Sequence, residues 1–166
     1  KMFSNSFFYE TFKENKRILL LLIQENIMSI TEDLSYQMNN YKHSIEYFSP
    51  EIKSIFTPEM LHMIDICGNV GRQKMARIFL SNLPENFYEN REKGENETEI
   101  CQIIRKDLID DFIIYVNKTN FSLNSKIEPT IYECNPFLLK NKPTLIEYAA
   151  FFGSIQIFKY LLLNNI

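Results

Sequence analysis

Hydrophobic residues recur at helical spacing along most of the chain, which predicts helices and no extended sheet. A first helix is expected over residues 4–24. From residue 27 to residue 48 the apolar positions follow one another at intervals of three and four, so a second, long helix is expected there, ended by Pro50. Its apolar stripe consists of Ile27, Ile30, Leu34, Met38, Tyr41, Ile45 and Phe48.

These two segments are expected to form a helical hairpin. Ser29 and Glu32 match a capping box, so a kink near Asn26–Ser29 is an alternative to an unbroken start of the long helix. A coiled coil with a partner helix is a further alternative, although the stripe covers only about three heptads.

A second helical hairpin is expected after Pro50. Thr57-Pro58-Glu59 combines a capping residue, a first-turn proline and an acidic residue near the positive end of the helix dipole. The helix that it starts should end at Gly68–Gly71, and the next helix should stop before Pro84.

The charge pattern divides the chain into three regions. Residues 1–88 are expected to form an N-terminal helical region, and the charged segment 89–99 is expected to be a linker. Residues 100–166 should hold two helical repeats, with short helices near Thr98–Lys106 and Leu108–Lys118. A long connector follows over residues 119–142, with room for a short β-hairpin.

Composition narrows the classes of function. The 166 residues carry a net charge of −3 without a dense basic block, which argues against a nucleic-acid groove. The longest apolar run, Ile18–Ile23, is far shorter than the roughly 20 residues that span a bilayer. No signal peptide is apparent, so a soluble cytoplasmic protein is expected. The three cysteines, Cys67, Cys101 and Cys134, are expected to be reduced thiols and not zinc ligands.

The segment Thr144–Asn165 predicts two short antiparallel helices. Thr144 and Glu147 form a capping box, and Gly153 can take the positive φ that ends a helix. Ala149 and Ala150 are small enough for a neighbouring helix to approach closely, so Ala150→Leu is expected to overpack. Ser154 is expected to cap the second helix, whose buried face should consist of Ile157, Phe158, Leu161 and Leu162.

This order of residues resembles the ankyrin repeat, in which a Thr-Pro-Leu-His start is followed by an Ala pair, a Gly and a Leu pair. The matching residues are Thr144, Ala149, Ala150, Gly153, Phe158, Leu161 and Leu162. Leu145, Ile146 and Glu147 depart from the pattern, although Glu147 can still bond to the cap. The resemblance implies stacked helical hairpins and a protein-binding scaffold with no catalytic residue and no cofactor.

A degenerate copy of the repeat lies upstream. It places Asp107 on the Gly153 position, Ile103 and Ile104 on the Ala pair, and Phe112 on the Phe158 position. The two turns are 46 residues apart, compared with about 33 in ankyrin repeats. Residues from about 89 onwards also resemble a protozoan group of ankyrin-repeat proteins in which a helical domain of unknown function precedes the repeats. The residues that carry this likeness are Asn90–Ile100, Tyr115–Asn117, Asn135–Phe137 and Tyr148–Gly153.

The expected fold is therefore all-α, with antiparallel helical hairpins stacked as a short ankyrin-like solenoid behind an N-terminal helical extension. The expected function is a non-catalytic protein–protein interaction scaffold or adaptor. Two alternatives are a structural component of a large assembly, for example cytoskeletal, and a substrate-recruiting adaptor of a ubiquitin-type ligase.

An aromatic pair in the last repeat is the candidate partner-binding site. The first helix of this repeat has a second apolar stripe, so either the connector, through Phe137, Leu138 and Leu139, covers it or a partner protein binds there. The candidate contact residues are Phe151, Phe152, Tyr148 and Phe137.

A second surface is expected at residues 155–166. The final helix places Leu161, Leu162 and Leu163 in succession, and no polar cap follows. We expect further repeats or a neighbouring chain to cover it, and the chain to be a fragment if neither does.

Catalytic patterns are weak. Gly68–Lys74 lacks the spacing of a phosphate-binding loop, and His43 and His62 have no partner at metal-ligand spacing. Asp110 and Asp111 are neighbours on a helix and point in different directions. The sequence therefore predicts no enzyme, no metal, no cofactor and no nucleic-acid or membrane partner.

Overall fold

A computed structural model describes residues 3–41 and 43–164 of the chain. These residues form helices, turns and a single antiparallel bridge between Lys126 and Thr144, which confirms the predicted all-helical class. Within the described part no helix is both long and apolar enough to cross a membrane. The chain divides into two compact units, Lys1–Gly94 and Glu95–Ile166.

The first unit contains eight helices in its described part. They are α1 (Asn5–Phe12), α2 (Lys16–Gln24), α3 (Glu32–Met38), α4 (Ser44–Tyr47), α5 (Ser49–Lys53), α6 (Pro58–Cys67), α7 (Val70–Leu80) and α8 (Phe87–Lys93). Apolar side chains from most of these helices are buried. The buried set includes Leu19, Leu34, Met38, Tyr47, Phe48, Ile52, Leu61, Phe79 and Phe87.

The prediction of two long N-terminal helices is wrong. The first is interrupted before Asn15, whose side chain accepts a hydrogen bond from the backbone N–H of Ile18 and so caps α2. Asn26 and His43 have positive φ angles of 56° and 62°, which end the helical path on each side of α3. Pro50 lies in the first turn of α5, where a missing N–H costs no helical bond, so it does not end a helix.

The stripe from Ile27 to Phe48 is therefore divided among short helices. Ile27 is exposed, and Thr31, not Ser29, caps α3 through a bond from the N–H of Leu34. The continuous helix that a partner coiled coil requires is absent from the described residues.

The second predicted hairpin corresponds to α6 and α7. Thr57 caps α6 by accepting from the N–H of Met60, and Pro58 occupies the first turn. The break is shorter than predicted, because Asn69 already caps α7 and Gly71 lies inside that helix.

The charged segment 89–99 contains the division between the two units, after Gly94, but it is not only a linker. Its first residues belong to α8, and Arg91 is almost fully buried. The Arg91 guanidinium pairs with Glu51 at 2.6 Å and lies over the rings of Tyr47 and Phe87, 5.2 and 5.8 Å from their centroids. A charged side chain can be buried here because a carboxylate and aromatic faces replace its water.

The second unit contains five helices in its described part. They are α9 (Glu99–Arg105), α10 (Ile109–Thr119), α11 (Pro136–Asn141), α12 (Leu145–Phe152) and α13 (Ile155–Leu163). Helix α9 packs against α10 and α12 against α13, and the two hairpins also contact each other, α9 against α12 and α10 against α13. First helices thus pack on first helices and second helices on second helices.

The turns of the two hairpins have the same backbone geometry. Asp107 has φ 52° and Gly153 has φ 70°. The N–H of Asp107 donates to the carbonyl of Ile104, and the next N–H donates to the carbonyl of Ile103. Gly153 and the residue after it donate in the same way to the two residues of the Ala pair. The hydrogen bonds therefore repeat with the 46-residue offset that the sequence indicates.

Polar contacts also join the two hairpins. The Asp107 carboxylate accepts from the N–H groups of Gln156 and Ile157, each at 3.0 Å. The hydroxyl of Ser154, predicted to cap α13, is buried and donates instead to the carbonyl of Ile104. The first amides of α13 are thus satisfied by a carboxylate from the preceding hairpin, which also carries the charge that a helix N-terminus favours.

The connector 119–142 packs on its own unit. Ile127 and Leu138 are buried in the same core as α9, α12 and α13, and the N–H of Ile127 donates to the carbonyl of Pro143 at 2.7 Å. Asn135 caps α11 through a bond from the N–H of Phe137. The expected β-hairpin is absent from this part; the connector holds a helix and takes part in the single Lys126–Thr144 bridge.

Candidate protein-binding surface

Residues at its two ends cap helix α12. The N–H of Thr144 donates to the Glu147 carboxylate at 2.8 Å, and the N–H of Glu147 donates back to the Thr144 hydroxyl at 3.4 Å, as the capping box predicts. The bonds that the backbone N–H and then the hydroxyl of Thr144 donate to this carboxylate lower the pKa of Glu147 below its ordinary value. Gly153 ends the helix in the left-handed conformation, where an added Cβ would meet no atom within 4 Å. The preference for glycine there is one of backbone conformation.

Three phenylalanines form a contiguous cluster on this helix and on α11, which we name the aromatic patch: Phe137, Phe151 and Phe152. The rings of Phe137 and Phe151 are stacked, with centroids 5.7 Å apart and an interplanar angle of 4°. Phe152 meets Phe151 edge-on at 5.0 Å. Phe137 is 52% exposed and Phe151 is 45% exposed, so the patch presents apolar area to solvent.

Tyr148 does not belong to the exposed part of the patch, contrary to its prediction as a contact residue. It is fully buried, and its hydroxyl accepts from the Arg105 guanidinium at 2.8 Å. Burial, as the largest cause, raises the pKa of this hydroxyl far above its ordinary value. The reason for the error is register, since Tyr148 lies on the side of α12 that enters the core beside α9.

Arg105 contacts the aromatic patch through Phe152. Its guanidinium lies 5.8 Å from the centroid of the Phe152 ring, pairs with Glu95 at 3.0 Å and donates to the backbone carbonyl of Asn96 at 2.8 Å. Together with the bond to Tyr148, these contacts fix the side chain on which Phe152 rests. No pattern in the sequence points to Arg105, because its partners lie outside its own helix and Tyr148 is 43 residues away along the chain.

Of the two predicted covers of α12, the connector is present in part. Leu138 of the connector is buried against the core, and Phe137 stacks on Phe151. The rings of Phe137 and Phe151 nevertheless keep about half of their area exposed. The connector therefore covers part of the second apolar stripe of α12 and leaves the rest exposed to solvent.

The side of the last hairpin away from α9 and α10 is more exposed than the sequence predicts. Ala149 and Leu161 are buried as expected, but Ala150 is exposed and Leu162 is 56% exposed. Ala150 therefore has no neighbouring helix against which Ala150→Leu would overpack. Of the surface expected at residues 155–166, the last two residues lie outside the described part.

Asp110 and Asp111 are exposed in the first turn of α10, and His62 is exposed on α6. In the described part of the chain no group of three His, Cys, Asp or Glu side chains is arranged to hold a metal ion.

Comparisons of the chain with protein-family models, with curated proteins and with solved structures found no match. The described geometry and the sequence pattern are therefore the basis for assigning a function.

Proposed function

We propose that this protein is a protein–protein interaction scaffold or adaptor of the ankyrin-repeat type, without a catalytic role. The observation that carries the proposal is the aromatic patch, in which two stacked phenylalanines, one on α11 and one on α12, are half-exposed. Large aromatic side chains presented this way bury much area on binding and lose little conformational freedom.

The contacts that hold Phe152 in place favour a role of the patch in binding over a purely structural role. Phe152 contacts Tyr148 at 4.7 Å between centroids and lies beside Arg105, so the base of the patch is fixed. A partner that covers Phe137 and Phe151 would not have to order the two helices, α11 and α12, that carry them. Preorganisation of this kind raises affinity because little entropy is lost on association.

The ankyrin-type assignment is supported by the arrangement of the second unit. Its two hairpins stack with like helices together, and their turns share one pattern of hydrogen bonds. The capping box at Thr144 and the left-handed Gly153 correspond to the resemblance found in the sequence. A cytoplasmic location is part of the proposal.

The proposal is tested by affinity purification of the tagged full-length chain, followed by mass spectrometry. The key variant is Phe137→Ser with Phe151→Ser, which removes the exposed rings and leaves Phe152 on Arg105. The control is Ile114→Ser, because Ile114 is an exposed apolar residue of the same unit outside the patch. We expect the double variant to weaken binding of captured proteins by about 2 kcal/mol or more and the control to leave it unchanged.

Circular dichroism of the double variant separates the outcomes. A melting temperature close to the parent's together with lost partners supports the proposal. An unchanged set of partners contradicts it. A sharp fall in melting temperature would show that the patch serves folding and not binding. Among the captured proteins, filament components would point to the assembly alternative and ligase subunits to the ubiquitin-adaptor alternative.

A further inference from the structure

The two hairpins of the second unit carry apolar residues at equivalent positions, but among the described residues only the first hairpin is covered by another hairpin on that side. Five positions of α9 and α10 correspond to five positions of α12 and α13 at the 46-residue offset. All ten residues are apolar. The pairs are Ile100 and Ile146, Ile104 and Ala150, Ile109 and Ile155, Phe112 and Phe158, and Val116 and Leu162.

In every pair the residue of the second hairpin is more exposed. Ile100, Ile104 and Phe112 are buried, whereas their counterparts are half-buried or exposed. Ile155 is 60% exposed and Leu162 is 56% exposed, although both lie where α10 has partly buried residues. The difference follows from the neighbour, because α12 covers α9 and α13 covers α10.

We propose that the end face, defined as Ile146, Ala150, Ile155, Phe158 and Leu162, binds a partner helical hairpin built like α12–α13. The occupant must present small and aliphatic side chains from two helices, as Ala149, Ile157 and Leu161 do towards α9 and α10. The end face continues an interface that already exists within the unit, so its shape and its apolar pattern are those of a known acceptor. Such a partner extends the proposed scaffold function to a surface other than the aromatic patch.

One feature of the existing interface is missing from the end face. Asp107 accepts hydrogen bonds from the first amides of α13, whereas the equivalent position is Gly153, which has no side chain. The backbone geometry of the two positions is the same, so an Asp at 153 could accept the amides of a docked hairpin. Docking at the end face is therefore apolar in character and has no capping carboxylate.

The test supplies the occupant directly. A second copy of residues 119–164 is inserted after Asn164 in the full chain, which reproduces the 46-residue spacing. Lys159→Arg in the first copy gives its peptides a distinct mass, so hydrogen exchange can be followed in α13 alone. We expect exchange in the first α13 to slow by about tenfold or more relative to the parent chain.

Matched variants show which surface is used. Ile155→Asp with Leu162→Asp in the first copy should abolish the added protection, and both residues are exposed enough in the parent for the variant to fold. Ile114→Asp, an equally exposed residue outside the end face, should leave the protection in place. Gly153→Asp should add protection in the extended chain and none in the parent.

Two results would overturn the proposal. One is equal exchange of the first α13 in the parent and in the extended chain. The other is a dimer of the parent chain in sedimentation that Leu162→Asp dissociates, since a second copy would then occupy the end face. Both measurements are independent of the Phe137 and Phe151 variants, so failure here and failure of the proposed function are separate results.

Discussion

The hairpins α9–α10 and α12–α13 share one turn geometry but differ in how much of their apolar surface is covered. Both turns bend through a left-handed residue, and this residue and the next one donate to carbonyls at equivalent positions. Ile104 is fully buried, and its counterpart Ala150 is exposed. The turn is therefore a property of each hairpin alone, whereas burial depends on the neighbouring hairpin.

The residue that forms the turn differs as well. Gly153 serves only its own hairpin, because it has no side chain with which to reach another. Asp107 also bonds to the amides of Gln156 and Ile157 in the next hairpin. At the same backbone position, Gly153 contributes only to its own hairpin, whereas Asp107 also joins its hairpin to the next one.

The largest effect is expected where the two hairpins differ most in burial. Ile104→Ala should destabilise the protein by about 2–5 kcal/mol, because it leaves a cavity between α9 and α12. Ala150→Ile, the reverse change at the equivalent position, should alter stability by about 0.5 kcal/mol or less, since the site is exposed. Urea unfolding followed by helical ellipticity measures both. Similar losses for the two variants would contradict the difference in burial.

The next largest effect concerns the left-handed turn of the second hairpin. Gly153→Val should cost about 1–3 kcal/mol, because a β-branched residue at φ 70° is strained even in open space. Gly153→Asn is the matched control, and it should cost much less because Asn tolerates this conformation. Thermal melts of the two variants would show a clear difference. Equal melting temperatures would show that the turn has another conformation in solution.

A smaller effect is expected at the turn of the first hairpin. Asp107→Gly keeps the positive φ but removes the acceptors for the amides of α13, and it should cost about 0.5–2 kcal/mol. Asp107→Asn retains one acceptor oxygen and should lie between the variant and the parent. Hydrogen exchange at the amides of Gln156 and Ile157 should be faster in both variants, and faster in Asp107→Gly than in Asp107→Asn. A neutral Asp107→Gly would mean that the bond between the hairpins has no part in stability.

The smallest effect concerns the capping box of α12. The pKa of Glu147 is lowered, mainly by the backbone bond from Thr144, so the ionised carboxylate is favoured in the folded state. Its contribution is present above the ordinary value of 4.5 and is lost as pH falls through the lowered value. Glu147→Gln should therefore melt below the parent at pH 7 and together with it in acid. A gap that is independent of pH would exclude the charge as its source.

The two units also differ in how well their sequence predicts their structure. In the second unit the breaks fall at Gly153 and Asp107, and the caps at Thr144 and Glu147 are local pairs that can be read from a few residues. In the first unit the break at Asn26 falls where the sequence allowed a kink, but the break at His43 carries no such signal. A three-and-four spacing continues across these residues, because short helices around one core need the same stripe as one long helix.

The burial of polar and aromatic residues is the other feature that could not be predicted from the sequence. Arg91 lies in a highly charged segment, yet Glu51 and Tyr47, both from distant helices, enclose it. In the patch, the sequence identified Phe151 and Phe137 as exposed candidates but placed Tyr148 with them. Which side of α12 faces α9 is decided by packing between hairpins, and a single helix pattern does not contain that information.

The carboxylate of Asp107 has a consequence for the rate at which the unit opens. Its bond to the N–H of Ile157 joins residues 50 positions apart, so it can form only after both hairpins exist. Contacts made late in folding leave the folding rate almost unchanged and slow unfolding. Asp107→Gly should therefore accelerate unfolding in stopped-flow denaturant jumps while the refolding limb stays in place. The lifetime of the docked second hairpin, more than the speed of its formation, is then set by the turn of the first.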